Sequence, residues 1–487
     1  MKVVKQRIFS VLCALVLCLF VCLPLNRVSV SAETEIQEIT VFSWEDYIDE
    51  GDEEAEDEAL QTSILDIFEE QTGIHVNYYT FATNEEMYNE IKKDPNACDL
   101  VCPSEYMILK MKSEGLIKPY EIPDNWRDYG SPYIKDNILA DLGMLTEDGK
   151  TYAVGYMWGT MGYLYNADKI SADDLNHWSA IWNKEFRGKT TIKDSIRDTY
   201  IMALAVVYED ELLEEREKFL NGEITEETYH DILFEIFNCA DDATVEKVEK
   251  KLLELRPNLY GFEVDSGKSD ILTGKIDINF AWSGDAVYSM DEGDEAGVNL
   301  GYAVPEEGTN VWFDGWVMPK NANEELAVQF INFVCDPENA IRNMEYIGYV
   351  SAIAGDEVLD WIIDTYELID QEEYDALTDE EKEEYFKTDI SYFFGEEADI
   401  IVLYTDTVGR QYSTQYPDYS VIQRCAIMDN FDENTLVIIN SMWNRIKLLT
   451  LSDAVIIVIS ACIFLLIVAG VIYKIKDKIF CKKKIKS

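Results

Sequence analysis

The chain has 487 residues, 47% hydrophobic and 12% aromatic, with 41 Lys plus Arg against 94 Asp plus Glu and a formal net charge of −53. That length and apolar share are enough for two domains with their own cores. The acidic excess argues against nucleic acid and anionic lipid as partners of the main body and favours a cationic ligand.

Basic residues at 2–7, an apolar run from Ile8 to Leu23 and V-S-A at 30–32 predict a cleavable secretory signal over residues 1–32. None of Cys13, Cys18 or Cys22 follows the small residue that a lipoprotein signal requires. V-F-S-W-E-D-Y at 41–47 begins as a strand and then breaks into Trp44, Glu45, Asp46 and Tyr47, aromatics interleaved with acids. Eight acids within 49–58 predict a solvated loop or an extended helix start. Ile64, Leu65 and Phe68 form a helical stripe that stops at Gly73, and residues 74–78 alternate as a strand. Asn84 caps a helix burying Met87, Tyr88 and Ile91, and D-L-V-C-P-S-E-Y at 99–106 is a buried strand opening into a polar loop.

Strand–helix alternation of this kind predicts a parallel α/β sheet. Residues 152–166 read as a long double strand bent at its glycines, and 190–200 as a strand turning into a helix. Residues 207–258 read as two or three charged helices, an elaboration. Strands are predicted at 276–282, 300–304 and 311–319, a helix at 327–334 and a loop at 346–352. A second acidic insertion covers 356–400, and a helix is expected over 424–447. Ala454–Tyr473 is twenty residues without a charge, the length of a bilayer span, and seven lysines follow it at 474–487. The positive-inside rule puts that tail in the cytoplasm and the body outside.

Five cysteines lie between the signal and the span, an odd and scattered set that fits neither a disulfide framework nor zinc spacing. His75, His177 and His230 are isolated in sequence and read as surface residues. No cofactor and no metal are expected.

Ligands of open α/β sheets bind outside the carboxyl ends of the strands. Here those ends carry Trp44, Asp46 and Tyr47; Ser104 and Tyr106; Asp194 and Asp198; Trp282; and Trp312 and Asp314, with Tyr349 on a later loop. Aromatic faces attract ammonium groups and sandwich methylenes, while separated acids supply charge-assisted hydrogen bonds. The set suits a long, thin polycation better than a compact metal ion.

W-x-D/E-Y at the start, T-F-A-T-N-E-E-M-Y at 80–88, D-L-V-x-P-S-x-Y at 99–106 and Y-M-W-G-T at 156–160 occur in order. D-S-I-R-D at 194–198, W-S-G at 282–284, W-F-D at 312–314 and I-G-Y at 347–349 complete the series. In these motifs the chain resembles the spermidine/putrescine-binding proteins of bacterial polyamine ABC transporters, from about residue 39 to 352 and weakly to 447. The resemblance implies a two-lobed periplasmic-binding-protein fold of type II, α/β and hinged. It implies an N-terminal lobe of 38–158 with 309–357 and a C-terminal lobe of 159–308 with 358–447; the transmembrane helix 454–473 and the basic tail 474–487, read from the sequence itself, replace the family's usual free or lipid-anchored end. It implies a monomeric, non-enzymatic receptor that passes polyamine to a permease and an ATPase on separate chains. Trp44 and Tyr47 would wall one end, Asp46 would pair an amine, and Ser104 and Tyr106 would line the N-terminal lobe. Trp282, Trp312 and Tyr349 would complete the box, with Asp314 and Asp198 holding amines. The sequence departs from the family where an acid becomes Ser195 beside Asp194, and where a glutamine near the C-terminal helix has no clear match.

Two other function classes fit parts of the pattern. Paired carboxylates beside tryptophans also serve enzymes acting on sugars, but no nucleophile–base pair recurs. A tethered sensor or adhesin is disfavoured by the 14-residue tail at 474–487.

Overall fold

A computed structural model of the chain describes residues 37–52, 58–369, 371–395, 401–404 and 407–448. The expected signal over 1–32, the span at 454–473 and the tail at 474–487 lie outside the described residues, as does part of each of the acidic stretches 49–58 and 356–400. Among the described residues no helix is long and apolar enough to cross a membrane.

A first sheet has three strands: β1 (Gln37–Trp44), β2 (Ile74–Phe81) and β3 (Leu100–Val101), in the order β2-β1-β3. β1 and β3 run parallel, with Val41 opposite Leu100. Helix α1 (Ile64–Thr72) fills the β1–β2 connection. Ser63 caps its N-terminus, and Gly73 ends it in the left-handed region at φ 73°. Helices α2 (Asn84–Lys93) and α3 (Glu105–Ser113) follow β2 and β3, the strand–helix rhythm that the sequence predicts, although Thr83 rather than Asn84 caps α2, its hydroxyl accepting from Glu86 N–H at 3.2 Å.

The second sheet is built on β4 (Val154–Asn166), a strand of 13 residues, all of them buried. Its other members are β5 (Thr190–Lys193), β6 (Leu259–Glu263), β7 (Ile278–Trp282), β8 (Leu300–Ala303), β9 (Thr309–Trp316), β10 (Val350–Ser351) and β11 (Cys425–Ala426). The order is β11-β9-β4-β7-β5-β6, with β8 and β10 also pairing β4. β4 changes partners midway: residues 154–160 pair antiparallel with β9, and 161–165 with β7.

β4 is therefore one continuous strand rather than the bent pair expected over 152–166. Its glycines do a different job. A Cβ at Gly159 would lie 2.3 Å from Ser283 Oγ and 2.8 Å from the Trp312 ring, and one at Gly162 would lie 2.6 Å from the Tyr302 ring. The missing side chains let rings lie directly on the strand.

Helix α4 (Ile196–Val207) follows β5, and the elaboration over 207–258 is three helices: α5 (Glu209–Leu220), α6 (Glu226–Phe237) and α7 (Asp242–Leu255). Helix α8 (Ser283–Ala296) starts directly from β7. The segment 424–447 is not one helix, because β11 pairs with β9 first and α9 (Glu433–Leu448) begins only afterwards. Asp432 marks the break: its carboxylate accepts from the backbone N–H groups of Asn434 and Thr435.

The close seating of Trp312 on β4 gives a stability test. Gly159→Ala should destabilise the protein by about 1–3 kcal/mol, the usual cost of overpacking a filled core. Urea denaturation measures it, and unchanged stability would mean that the Trp312 ring does not rest on β4 as described.

Candidate functional site

Asp314 is the centre of the cluster. It lies on β9 at a register shift between Asp314 and Gly315, a β-bulge of the kind that re-aims a side chain. Gly315 N–H donates to the Pro103 carbonyl at 3.0 Å, and Ser104 and Asp314 form an isolated antiparallel bridge. The main chain thus fixes β9 against the loop between β3 and α3. Asp314 is 6% exposed; its Oδ2 accepts from the Tyr47 hydroxyl at 2.8 Å, while its Oδ1 has no hydrogen-bond partner.

Burial pushes the Asp314 carboxyl up to about 7, with the nearby Ser104 hydroxyl and the Tyr47 hydrogen bond pulling it back and the Asp198 charge raising it further. Burial, and after it the Asp314 charge, raises the Tyr47 phenol, so Tyr47 remains a donor.

Aromatic rings surround this carboxylate. Tyr47 meets Tyr349 edge-on at 5.4 Å and Tyr156 at 5.5 Å, and Trp312 lies 5.7 Å from Tyr349. The alternation that sends Trp312 and Asp314 to one side of β9 accounts for this grouping. Ser104 and Tyr106 join through Asn84, whose Nδ2 donates to Ser104 Oγ at 3.1 Å and to the Tyr106 hydroxyl at 3.0 Å. Trp44, half-buried, rests on Phe81 at 4.6 Å, and its indole N–H is buried without a partner.

Two predicted acids take other positions. Asp46 is exposed, in the left-handed region at φ 52°, and its charge reaches Tyr346. Asp194 is claimed by Lys447 of α9, whose ammonium donates to both carboxylate oxygens at 2.6 and 2.7 Å. Asp198 stays buried; burial raises its carboxyl, and Ser195, Lys193, Arg197 and Trp282 oppose that rise. Ser195 caps α4 instead of supplying an acid.

Sequence reasoning missed several members. Glu105, between Ser104 and Tyr106, is fully buried with Oε1 unpartnered. Burial raises its carboxyl well above the usual range, and Asp314 and Asp198 add to the rise. Arg197 lies 4.7 Å from the Tyr106 ring and 3.9 Å from the Phe431 ring, donates to the Asp429 carbonyl at 2.7 Å and leaves one terminal nitrogen unpartnered. Lys193 lies 4.0 Å over the Trp282 ring and pairs with Asp285 at 2.8 Å. Gln415 donates to the Gly348 carbonyl at 3.0 Å, beside Tyr349. The only signal for these in the sequence was position, since Glu105 and Arg197 sit inside the quoted motifs.

His177, Glu209 and Glu307 bring donor atoms within 4.8 Å of one another, the one such group among the described residues. Glu307 already accepts from His177 Nδ1 at 2.9 Å and Trp178 N–H at 3.4 Å, and none of the three touches the aromatic cluster in a recorded contact. The histidines are not isolated in space: His75 meets Glu69, and His230 meets the Gln423 carbonyl. An open cleft of about 900 Å³ is lined by residues such as Ile67, Asn125, Val328, Asn332 and Arg342 and by no candidate ligand residue. Size alone therefore does not mark the site.

The arrangement is a buried carboxylate cluster inside an aromatic wall, suited to desolvating and holding an organic cation. The sequence profile of the family described as bacterial extracellular solute-binding protein matches residues 63–362. The spermidine/putrescine-binding periplasmic protein of Escherichia coli (strain K12) is 28% identical over 312 residues, 63% of this chain and 75% of that protein. The putrescine-binding periplasmic protein PotF of the same strain is 27% identical over 331 residues, 65% and 78% respectively. Among solved structures, the spermidine/putrescine ABC transporter substrate-binding protein PotD from Streptococcus pneumoniae has a TM-score of 0.53 at 26% identity, over 85% of this chain and 99% of that one. A putative spermidine/putrescine ABC transporter from Listeria monocytogenes has a TM-score of 0.57 at 24% identity, over 84% and 99%, a likeness of fold.

Asp314 makes stability depend on pH. The folded state holds this proton more tightly than the unfolded chain, so the stabilisation is fully present below about pH 4 and is lost as pH rises through about 7. The loss is on the order of 4 kcal/mol. Asp198 and Glu105 act in the same direction, so Asp314→Asn should make the slope of ligand-free melting temperature against pH shallower without flattening it. An identical slope in the variant would show that Asp314 titrates normally.

Proposed function

Because the chain belongs to the bacterial extracellular solute-binding protein family, we propose that it is the extracytoplasmic receptor of a polyamine ABC transporter. It captures a linear polyamine of the spermidine and putrescine class and delivers it to a permease and an ATPase on separate chains. The observation that carries this reading is Asp314, a buried carboxylate with one unpartnered oxygen among Tyr47, Trp312 and Tyr349. A buried charge without a cation costs several kcal/mol, and a bound ammonium offsets that cost.

The ligand-binding set in this reading is Trp44, Tyr47, Ser104, Tyr106, Asp198, Trp282, Trp312, Asp314 and Tyr349, joined by Glu105. Asp46 serves at the exposed rim, and Asp194 is an ion-pair partner of α9. The two lobes are 38–158 with 309–357 and 159–308 with 358–447. They hinge at β4 and β9, where β4 exchanges one set of partners for the other, and close on the ligand. The chain acts as a monomer. Residues 1–32 direct export, and 454–473 tether the receptor to the cell membrane with the tail inside.

Calorimetry of the purified chain with putrescine, spermidine, glucose and glycine tests the ligand class. Binding of at least one polyamine and of neither neutral solute is expected; no heat with any polyamine at millimolar concentration would end this reading. Asp314→Asn should weaken polyamine binding by roughly 2–5 kcal/mol, the range for removing one partner of a buried charge pair. It should leave the ligand-free protein equally stable or more so at pH 8. Because an ammonium binds the ionised form, the wild type should bind more tightly at pH 8 than at pH 6 and release protons on binding near pH 6.5. Unchanged affinity with a large loss of stability would make Asp314 a structural residue.

Membrane attachment is checked separately. The protein should stay with the membrane fraction after a high-salt wash and leave only with detergent. Release by salt alone would contradict the tether.

A further inference from the structure

Lys193 ends β5 and is buried, at 1% exposure. Its ammonium donates to Asp285 Oδ2 at 2.8 Å and to the Val264 carbonyl at 3.0 Å, and pairs with Glu263 at 3.1 Å. The same ammonium lies 4.0 Å from the centre of the Trp282 ring. Asp285 carries the contact onward, since its Oδ1 accepts from the Tyr349 hydroxyl at 2.8 Å. Lys268 stands 3.9 Å from the same carboxylate. Lys193 is thus wired to two of the rings expected to hold ligand.

The geometry points to Lys193 as a specificity-determining residue that supplies the Trp282 end of the site with the protein's own cation, so that a short linear diamine binds in preference to a triamine. This rests on the polyamine reading above and narrows it. A ring with an ammonium against one face attracts a second cation less, because its quadrupole is already engaged. A ligand ammonium brought to Trp282 also meets the Lys193 charge in a water-poor site, whichever face of the ring it approaches. The neighbouring acids are served as well: Asp285 and Glu263 by Lys193, and Asp198 by its proximity to Lys193 and Arg197. Among the described residues three buried carboxylate oxygens have no hydrogen-bond partner, Asp314 Oδ1, Glu105 Oε1 and Glu263 Oε1, and of these Glu263 Oε1 stands 3.1 Å from the Lys193 ammonium. Asp314 Oδ1 and Glu105 Oε1, each open to a further hydrogen bond, match two ammonium groups. A third would fall where the protein already holds its own.

The test is calorimetry of the full-length chain in detergent with putrescine and spermidine at one salt concentration and pH 8. The wild type should bind putrescine at least fivefold more tightly than spermidine. The double variant Lys193→Met with Glu263→Gln removes the cation together with one of its buried counter-charges. It should shrink that ratio at least fivefold, chiefly by tightening spermidine. A merely structural Lys193 would weaken both amines alike and leave the ratio unchanged. A wild-type ratio below fivefold, or an unchanged ratio in the folded variant, overturns the inference while the polyamine reading stands. Should the double variant not fold, the wild-type ratio decides. No binding of either amine rejects the polyamine reading itself, and this inference with it.

Discussion

Keeping a carboxylate in a wall of aromatic rings is expensive, and the main chain around Asp314 is arranged so that it cannot swing out to water. The bulge at Gly315, the Gly315-to-Pro103 hydrogen bond and the backbone exchange between Val101 and Val317 clamp β9 to the β3–α3 loop. Tyr47 comes from 267 residues earlier to donate to Asp314, and Tyr156 of β4 fixes it by donating to the Tyr47 carbonyl at 2.8 Å. Each contact is modest alone, but in a low-dielectric surrounding they hold one geometry. The other oxygen of Asp314 is left with no protein donor, so the solvation that it lost on folding is restored only by something that arrives later.

The other end of the cluster solves the same problem differently. Asp285 is as buried as Asp314, yet Lys193 and Lys268 hold its carboxyl below the usual range against the opposing effect of burial. Burial would lower the Lys193 ammonium, and Asp285 and Glu263 more than reverse this. One carboxylate group is thus satisfied by residues of the chain and the other is not, within a single aromatic wall. The surface acids outside it add a field that concentrates cations near the protein, an effect on capture rate rather than on choice of ligand.

Trp312 and Asp314 were legible because strand alternation sends i and i+2 to the same face, and because strand ends collect ligand residues in open α/β sheets. Tyr47 was legible for the second reason. The choice between Asp194 and Asp198 was not, since it depends on Lys447, 253 residues away. Lys193 closes an alternating T-T-I-K strand and reads as a solvent-facing end until Glu263 and Asp285 are brought beside it from two other elements. Glu105 falls in the stretch read as a polar loop after the 99–106 strand, yet it is buried, and Phe313 N–H donates to its Oε2 at 3.4 Å. The misread helix over 424–447 has a similar origin, because two residues pairing with β9 outweigh local helix preference where a strand edge is available.

The elaborations are tied to the same segment that bears the site. Arg197, one residue before Asp198, donates to the Asp429 carbonyl, and Asp429 N–H in turn donates to Asn238 Oδ1, just after α6, at 2.7 Å. Arg445 of α9 grips Glu249 of α7 through two hydrogen bonds at 2.6 and 2.7 Å, while Lys447 holds Asp194 at the start of the β5–α4 turn. The end of α6, α7 and α9 therefore brace the turn carrying Ser195, Arg197 and Asp198 from behind. A turn held on that side by ion pairs has little freedom to move Asp198 toward a ligand, so a ligand meets both ends of the cluster preformed, with hydrogen-bonding capacity still open at Asp314.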